Sequence, residues 1–275
     1  MLLEQVDKPF SDERFLFEPK IDGFRLILIR KNGVTKLFTR HGNDVTAKYS
    51  ELISEGPDVI LDGELTVIHP ETGIPDFELT MSRFHSNTSK LPISYVVFDI
   101  LQYGPERLNL IDQPLLKRKE LLEEVIDDTP TMCKIAYIHG RGEDLFQAIV
   151  NRKMEGIVAK RLDSTIAPGR RSKFWLKVIN YQYASVFITG IRKGEFGWLA
   201  SIKDQNGQLK NVGIIELGVS VEHKRALKTI FPSLRVGEDE HFVYLQPTIQ
   251  AKVKFRHWTS QGLMRLPVFI EFDLV

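Results

Sequence analysis

The chain has 275 residues, 43% apolar and 27% charged, a balance that fits a soluble globular protein with room for one large or two ordinary domains. Its 37 basic and 36 acidic residues leave a net charge of +1, which argues neither for nor against nucleic acid, because binding needs only a local basic surface. The single cysteine, Cys133, excludes an internal disulfide and a multi-cysteine zinc cluster, and its neighbours suggest a small buried apolar side chain.

No apolar run approaches the length needed to span a bilayer, and the opening Met1-Leu2-Leu3-Glu4-Gln5-Val6-Asp7 is too short and too acidic for a signal peptide. A cytoplasmic protein with no membrane partner is expected. Phe15-Leu16-Phe17 predicts a first strand, followed by the charged loop Glu18-Pro19-Lys20-Ile21-Asp22-Gly23-Phe24-Arg25 and the apolar run Leu26-Ile27-Leu28-Ile29. Asn32-Gly33 then predicts a tight hairpin turn into a second run from Val34 to Arg40. A two-residue turn pairs Lys31 with Val34 and sets Arg25 opposite Arg40, where like charges need an anion between them unless both are solvated.

A weak helical signal covers Ala47 to Ser54, and Val59 to Ile68 is an apolar strand that carries Asp62 and Glu64 on one face. A short helix is predicted from Phe77 to Phe84 and a strand from Ser94 to Leu101. Leu115 to Ile126 reads as an amphipathic packing helix, with Leu115, Leu122 and Ile126 on the stripe and Lys117, Lys119 and Glu123 off it. A strand at Ile135 to Ile138, a helix at Gly142 to Met154, a strand at Glu155 to Lys160 and another at Lys173 to Ile179 follow. Basic clusters stand at Lys117-Arg118-Lys119, at Arg170, Arg171 and Lys173, and at Lys252, Lys254 and Arg256; each is a solvated face or a phosphate track.

Past Asn180-Tyr181-Gln182 the texture changes to five short strands, Ser185 to Ile191, Trp198 to Lys203, Asn211 to Leu217, Phe242 to Gln246 and Ala251 to Trp258, with one helix at Val221 to Ile230. That content fits a small Greek-key barrel of the oligonucleotide-binding (OB) type, or another small barrel. The expected division is 1–181 and 182–275.

Lys20, Asp22, Gly23 and Arg25 form Lys-x-Asp-Gly-x-Arg, which resembles the signature of the covalent nucleotidyltransferases: ATP-dependent DNA ligases, RNA ligases and mRNA-capping enzymes. Arg40 in Thr39-Arg40-His41-Gly42, Asp62-Gly63-Glu64, Phe98-Asp99, Glu155 to Lys160, and Lys177 in Trp175-Leu176-Lys177-Val178 resemble the later motifs in the same order. The set, which spans nearly the whole chain, is similar to an ATP-dependent DNA ligase of the minimal two-domain bacterial, phage or viral kind. The resemblance implies an α+β fold: an ATP-grasp-like nucleotidyltransferase domain of antiparallel sheets with flanking helices, followed by an OB-fold barrel.

It further implies nick sealing in duplex DNA by a monomer, with ATP as co-substrate and Mg2+ or Mn2+ as cofactor. Lys20 would form lysyl-AMP. Glu18 would read the adenine edge, Phe98 would stack on adenine, Glu64 would lie near the ribose, and Lys160, Lys177 and Arg25 would contact the nucleotide. Glu155, with Glu64, would hold the metal, Arg40 would take the 5′-phosphate of the nick, and Arg170, Arg171 and Lys173 would grip DNA phosphates. His41 and the other histidines are left as structural or surface residues.

The C-terminal stretch Phe255 to Phe269 resembles the closing segment of DNA ligases, with its Arg-x-Pro at Arg265 and Pro267, and the resemblance implies that it swings over the triphosphate, with Arg265 binding the nucleotide and orienting the pyrophosphate leaving group. Two positions depart from the pattern: Asp273 stands near a further arginine of the family, and Ile179 replaces a lysine. Sealing by a preformed adenylate is therefore expected to be better preserved than self-adenylation. The alternative function is an RNA ligase or capping guanylyltransferase that uses the same lysine chemistry.

Overall fold

The computed structural model describes residues 1–273 apart from 87 and 107. It contains two compact units, Met1–Asn180 and Tyr181–Val275.

The first unit holds two sheets. In one, the strands run in the order Leu2–Gln5, Arg171–Ile179, Gly156–Arg161, Asp12–Pro19 and Ile138–Gly140. The other runs Val34–Thr39, Phe24–Lys31, Val59–Ile68, Ile93–Tyr103 and Leu108–Asn109, with Pro75–Asp76 and Met132–Lys134 joined to its central strands. The Asn32-Gly33 turn is built as its sequence demands, both residues having positive φ (50° and 75°), and Lys31 pairs with Val34. The ladder then stops at Leu26 and Thr39, so Arg40 lies in a turn beyond it and Arg25 instead faces Glu64 on the neighbouring strand. The predicted opposition of Arg25 and Arg40 does not form.

Core side chains come from the alternation of the strands. Leu26, Leu28, Leu61, Leu65, Tyr95 and Val97 pack under the second sheet with Leu122 of helix Leu115–Val125 and Ile126 at its C-cap. Asp76 opens helix Phe77–His85 by accepting from the backbone N–H of Leu79 at 2.9 Å. The predicted strand at Ile135 to Ile138 divides into Met132–Lys134 and Ile138–Gly140 on different sheets, and the helical signal at Ala47 to Ser54 resolves into two 3-10 turns, Thr46–Lys48 and Ser50–Leu52. Cys133 is half-buried and sits 3.9 Å from the Ser94 hydroxyl.

The second unit has seven strands among the described residues, two more than the sequence suggested: Arg235–Glu238 and Val268–Asp273 are added to the five. Its organising strand is Gln182–Arg192, which pairs along its length with Gln250–Phe255, Trp198–Lys203 and Phe242–Leu245. A parallel bridge from Leu217 to Val268 joins the far strands, so the sheet curls into a barrel around Val186, Ile188, Trp198, Val212 and Val253. Helix Val221–Leu234 is opened by a capping box between Ser220 and His223.

Candidate active site

Three neighbouring strands deliver the charged residues of the first unit. Asp12–Pro19 hands over to Lys20, Gly156–Arg161 begins just after Glu155 and ends near Lys160, and Arg171–Ile179 contributes Lys177. The backbone N–H of Lys20 donates to the Gly156 carbonyl at 2.8 Å, which fixes the lysine beside Glu155. Gly156 has φ +151°, and a Cβ there would lie 2.1 Å from the Val178 carbonyl, so only glycine permits this approach. The Lys20 ammonium consequently meets Glu155 Oε2 at 2.7 Å.

Lys20 and Lys177 line a cavity of about 660 Å³. Arg25 reaches it from the first hairpin strand, its guanidinium held by Asp62 through Nε (2.8 Å to Oδ1) and Nη2, and by the Met1 carbonyl through Nη1 at 2.9 Å. The charge that the sequence assigned to an anion is thus met by a carboxylate. Glu64, two residues further along the same face as Asp62, lines the cavity. Burial pushes its carboxyl up to about 8, with Lys20 pulling it down and Glu155 pushing it further up.

The cavity floor is aromatic and cationic. Lys160, 2% exposed, lies 4.4 Å from the Phe98 ring centroid and 4.5 Å from that of Trp175, and burial depresses its ammonium pKa. Glu18 sits between two ammonium groups, Lys119 at 2.6 Å and Lys160 at 2.7 Å. Lys119 therefore does not point away from the core. At i+4 from Leu115 and i−3 from Leu122 it shares their stripe, as helical spacing requires, and the helix carries charge to the site as well as packing.

Arg118, next to it, is fully buried and grips Asp99 through Nε at 2.7 Å and Nη2 at 3.0 Å. Lys177, Phe98 and Arg171 also line the cavity, Arg171 donating to the Leu3 carbonyl at 2.7 Å. Arg40 and His41 stand exposed at its rim. Arg170 and Lys173 are exposed and do not line it. Arg265 belongs to the second unit, where its backbone pairs with Arg256 and His257 in the connection between the last two strands.

A buried acid and a lysine in contact, in a cavity walled by arginine, lysine and aromatic rings, fit the handling of a polyanion with a flat base. Residues 2–178 match the family model "ATP dependent DNA ligase domain". The chain belongs to the ATP-dependent DNA ligase family. It is 37% identical over 98% of its length to the SPbeta prophage-derived DNA ligase-like protein LigB of Bacillus subtilis, covering 96% of that protein. It is 28% identical, over 92% of its length, to the multifunctional non-homologous end joining DNA repair protein LigD of Mycobacterium tuberculosis, of which it spans only 35%.

Among solved structures, a mycobacterial DNA ligase D complexed with ATP and MES superposes with a TM-score of 0.59, at 26% identity and over 99% of this chain and 95% of that one. The ligase fold is α+β, with an OB-type barrel after the nucleotidyltransferase sheets. The two positions at which this ligase departs from the family pattern have local surroundings that suit the residues present. Ile179 is buried in the sheet opposite Gly156. The Asp273 carboxylate accepts from the Ser185 hydroxyl at 2.9 Å and lies 3.9 Å from Lys252, an assignment within the barrel.

The donor set bears on a divalent cation. Among the described residues no group of three or more His, Cys, Asp or Glu side chains is arranged around one point. Glu64 and Glu155 are the two carboxylates beside Lys20, and Glu64, pushed up to about 8, is an acid whose charge the protein alone leaves under-compensated. Two carboxylates fit Mg2+, which usually takes one or two from protein and completes its octahedron with phosphate and water.

Proposed function

We propose that the chain seals 3′-hydroxyl/5′-phosphate nicks in duplex DNA through a covalent lysyl-AMP on Lys20. The observation that carries this reading is the 2.7 Å contact of the Lys20 ammonium with Glu155, at the edge of a cavity that also presents Arg25, Lys177 and Phe98.

The ammonium must lose a proton before it can attack, and Glu155 stands where it can accept one. The freed amine attacks the α-phosphorus of ATP; an N–P bond forms, the bond to the bridging oxygen of the β-phosphate breaks, and pyrophosphate leaves. Arg25, fixed by Asp62, orients the nucleotide sugar, Phe98 stacks on the base, and Lys177 meets the charge that builds on the α-phosphate. Glu64 and Glu155 would hold a divalent cation, which when bound would supply positive charge at the phosphates. The 5′-phosphate of the nick then takes AMP from Lys20, steered by Arg40, and the 3′-hydroxyl displaces AMP to close the strand. Arg171, with Arg170 and Lys173 outside the cavity, provides basic surface for the duplex backbone. The first unit serves as the adenylation domain, the barrel as the OB domain, and the protein acts as a monomer.

Intact-mass measurement after incubation with ATP and Mg2+ tests the reading: wild type gains one AMP and Lys20→Ala gains none. A singly nicked DNA duplex should be sealed by wild type only. Absence of any nucleotide adduct on wild type overturns the proposal.

A further inference from the structure

Resting on that reading, we infer that Lys119 is a positioning residue for base selection: its ammonium fixes the Glu18 carboxylate as the acceptor that meets the exocyclic amine of adenine.

The three charged side chains involved are each 2% exposed; Glu18 and Lys160 line the cavity and Lys119 stands behind Glu18, outside the lining. Lys119 Nζ approaches Glu18 Oε1 at 2.6 Å and Lys160 Nζ approaches Oε2 at 2.7 Å. Glu18 Oε1 and both Nζ atoms are nevertheless buried without an aligned hydrogen-bond partner among the described residues, although leaving such groups unsatisfied is costly. The Glu18 carboxylate is thus held from both sides at a position where a polar ligand in the cavity can meet it. Phe98 and Trp175 flank Lys160.

An ionised carboxylate only accepts, and an ammonium only donates. An adenine stacked on Phe98 presents a donor at position 6 next to an acceptor at position 1, which complements a carboxylate beside an ammonium. A 6-oxo purine in the same pose sets oxygen against oxygen. This discrimination requires that the carboxylate not turn. Lys160 alone would draw both oxygens to itself; Lys119 on the opposite oxygen prevents that. The helix that carries Lys119 is itself held, because the neighbouring Arg118 is clamped to Asp99 and donates to the Gln113 and Ser164 carbonyls at 2.5 and 3.1 Å.

The test measures Lys20 adduct formation with ATP and with inosine triphosphate, which differs at position 6 and in its N1 proton. Wild type, Lys119→Met, Lys119→Arg and Glu18→Gln are compared, with thermal melts to verify folding. Wild type should prefer ATP. Lys119→Met should lose at least about tenfold of that preference, a factor of the size of one hydrogen bond, mainly through a higher KM for ATP. Lys119→Arg should recover most of the loss, and Glu18→Gln, which offers an N–H donor, should move preference towards the 6-oxo nucleotide.

Equal slowing with both nucleotides in folded Lys119→Met, or an unchanged ratio, overturns the inference and leaves the ligase reading standing. If Lys119→Met does not fold, Lys119→Gln, which keeps a polar head without the charge, decides: a wild-type ratio in that folded variant overturns it. Wild type that forms no adduct with either nucleotide removes the underlying reading, and the inference with it.

Discussion

Glu64→Gln is the variant whose effect the site geometry fixes most directly. In the folded chain Glu64 keeps its proton until about pH 8, because burial and the neighbouring Glu155 oppose its charge, against an ordinary value of 4.5. The unfolded chain gives that proton up near pH 4.5, so below that pH the group is neutral in both states and contributes nothing to the difference. Between the two values the unfolded state is increasingly favoured, and stability falls as pH rises. A rise of that size corresponds to roughly 5 kcal/mol. Part of the Glu64 surface still reaches solvent, which screens the effect to about 3 kcal/mol.

For a unit of this length that is a fall of about 6–12 °C in melting temperature between pH 5 and pH 8.5. Glutamine has no charge to bury, so Glu64→Gln should show a melting profile flatter by that amount. Mg2+ should raise the melting temperature of wild type more than that of the variant, most at the alkaline end. Thermal unfolding of both proteins at half-unit pH intervals, with and without Mg2+, measures this. Parallel pH profiles for the two would refute the reasoning.

Arg118→Met removes one partner of a fully buried pair and leaves Asp99 uncompensated; chemical denaturation should report a loss of about 3–5 kcal/mol. Gly156→Ala sets a Cβ against the Val178 carbonyl beside the Lys20 backbone contact, so adduct formation should fall at least about tenfold, as expected for a small misplacement of the nucleophile, with a lowered melting temperature. Because Ile179 and Asp273 replace basic residues of the family pattern, single-turnover sealing of a pre-adenylated nick should outpace self-adenylation; Ile179→Lys should narrow the gap unless burial of the new charge unfolds the sheet, which a melt will reveal.

Much of the site was legible because its residues occur in short segments with a strong local signal. Lys20, Arg25, Glu64, Phe98 and Lys177 lie on or beside strands whose apolar alternation is plain, and the structure gathers them around one cavity. Arg25 shows where pairing arithmetic stops being enough: the register from the Asn-Gly turn was right up to Thr39, but which neighbour compensates a charge depends on a strand that arrives from elsewhere in the chain, here the one carrying Asp62. Lys119 could have been found from spacing alone, since it falls four residues after Leu115; its hydrophilic character hid it among solvated lysines. The strand Arg235–Glu238 was hidden because it follows the helix directly and its burial is slight, so no apolar alternation marks it.

The strand Gly156–Arg161 has a further consequence. It runs from beside Glu155, at the proposed nucleophile Lys20, to Lys160, at the ring proposed to stack the base, and five steps of an extended chain cover about 16 Å. In the proposed reaction this one segment, hydrogen-bonded on both edges, spaces the nucleophile from the base. Neither end can drift without the other, so in that reaction fidelity to one co-substrate and reactivity at its phosphate would be set by the same length of backbone.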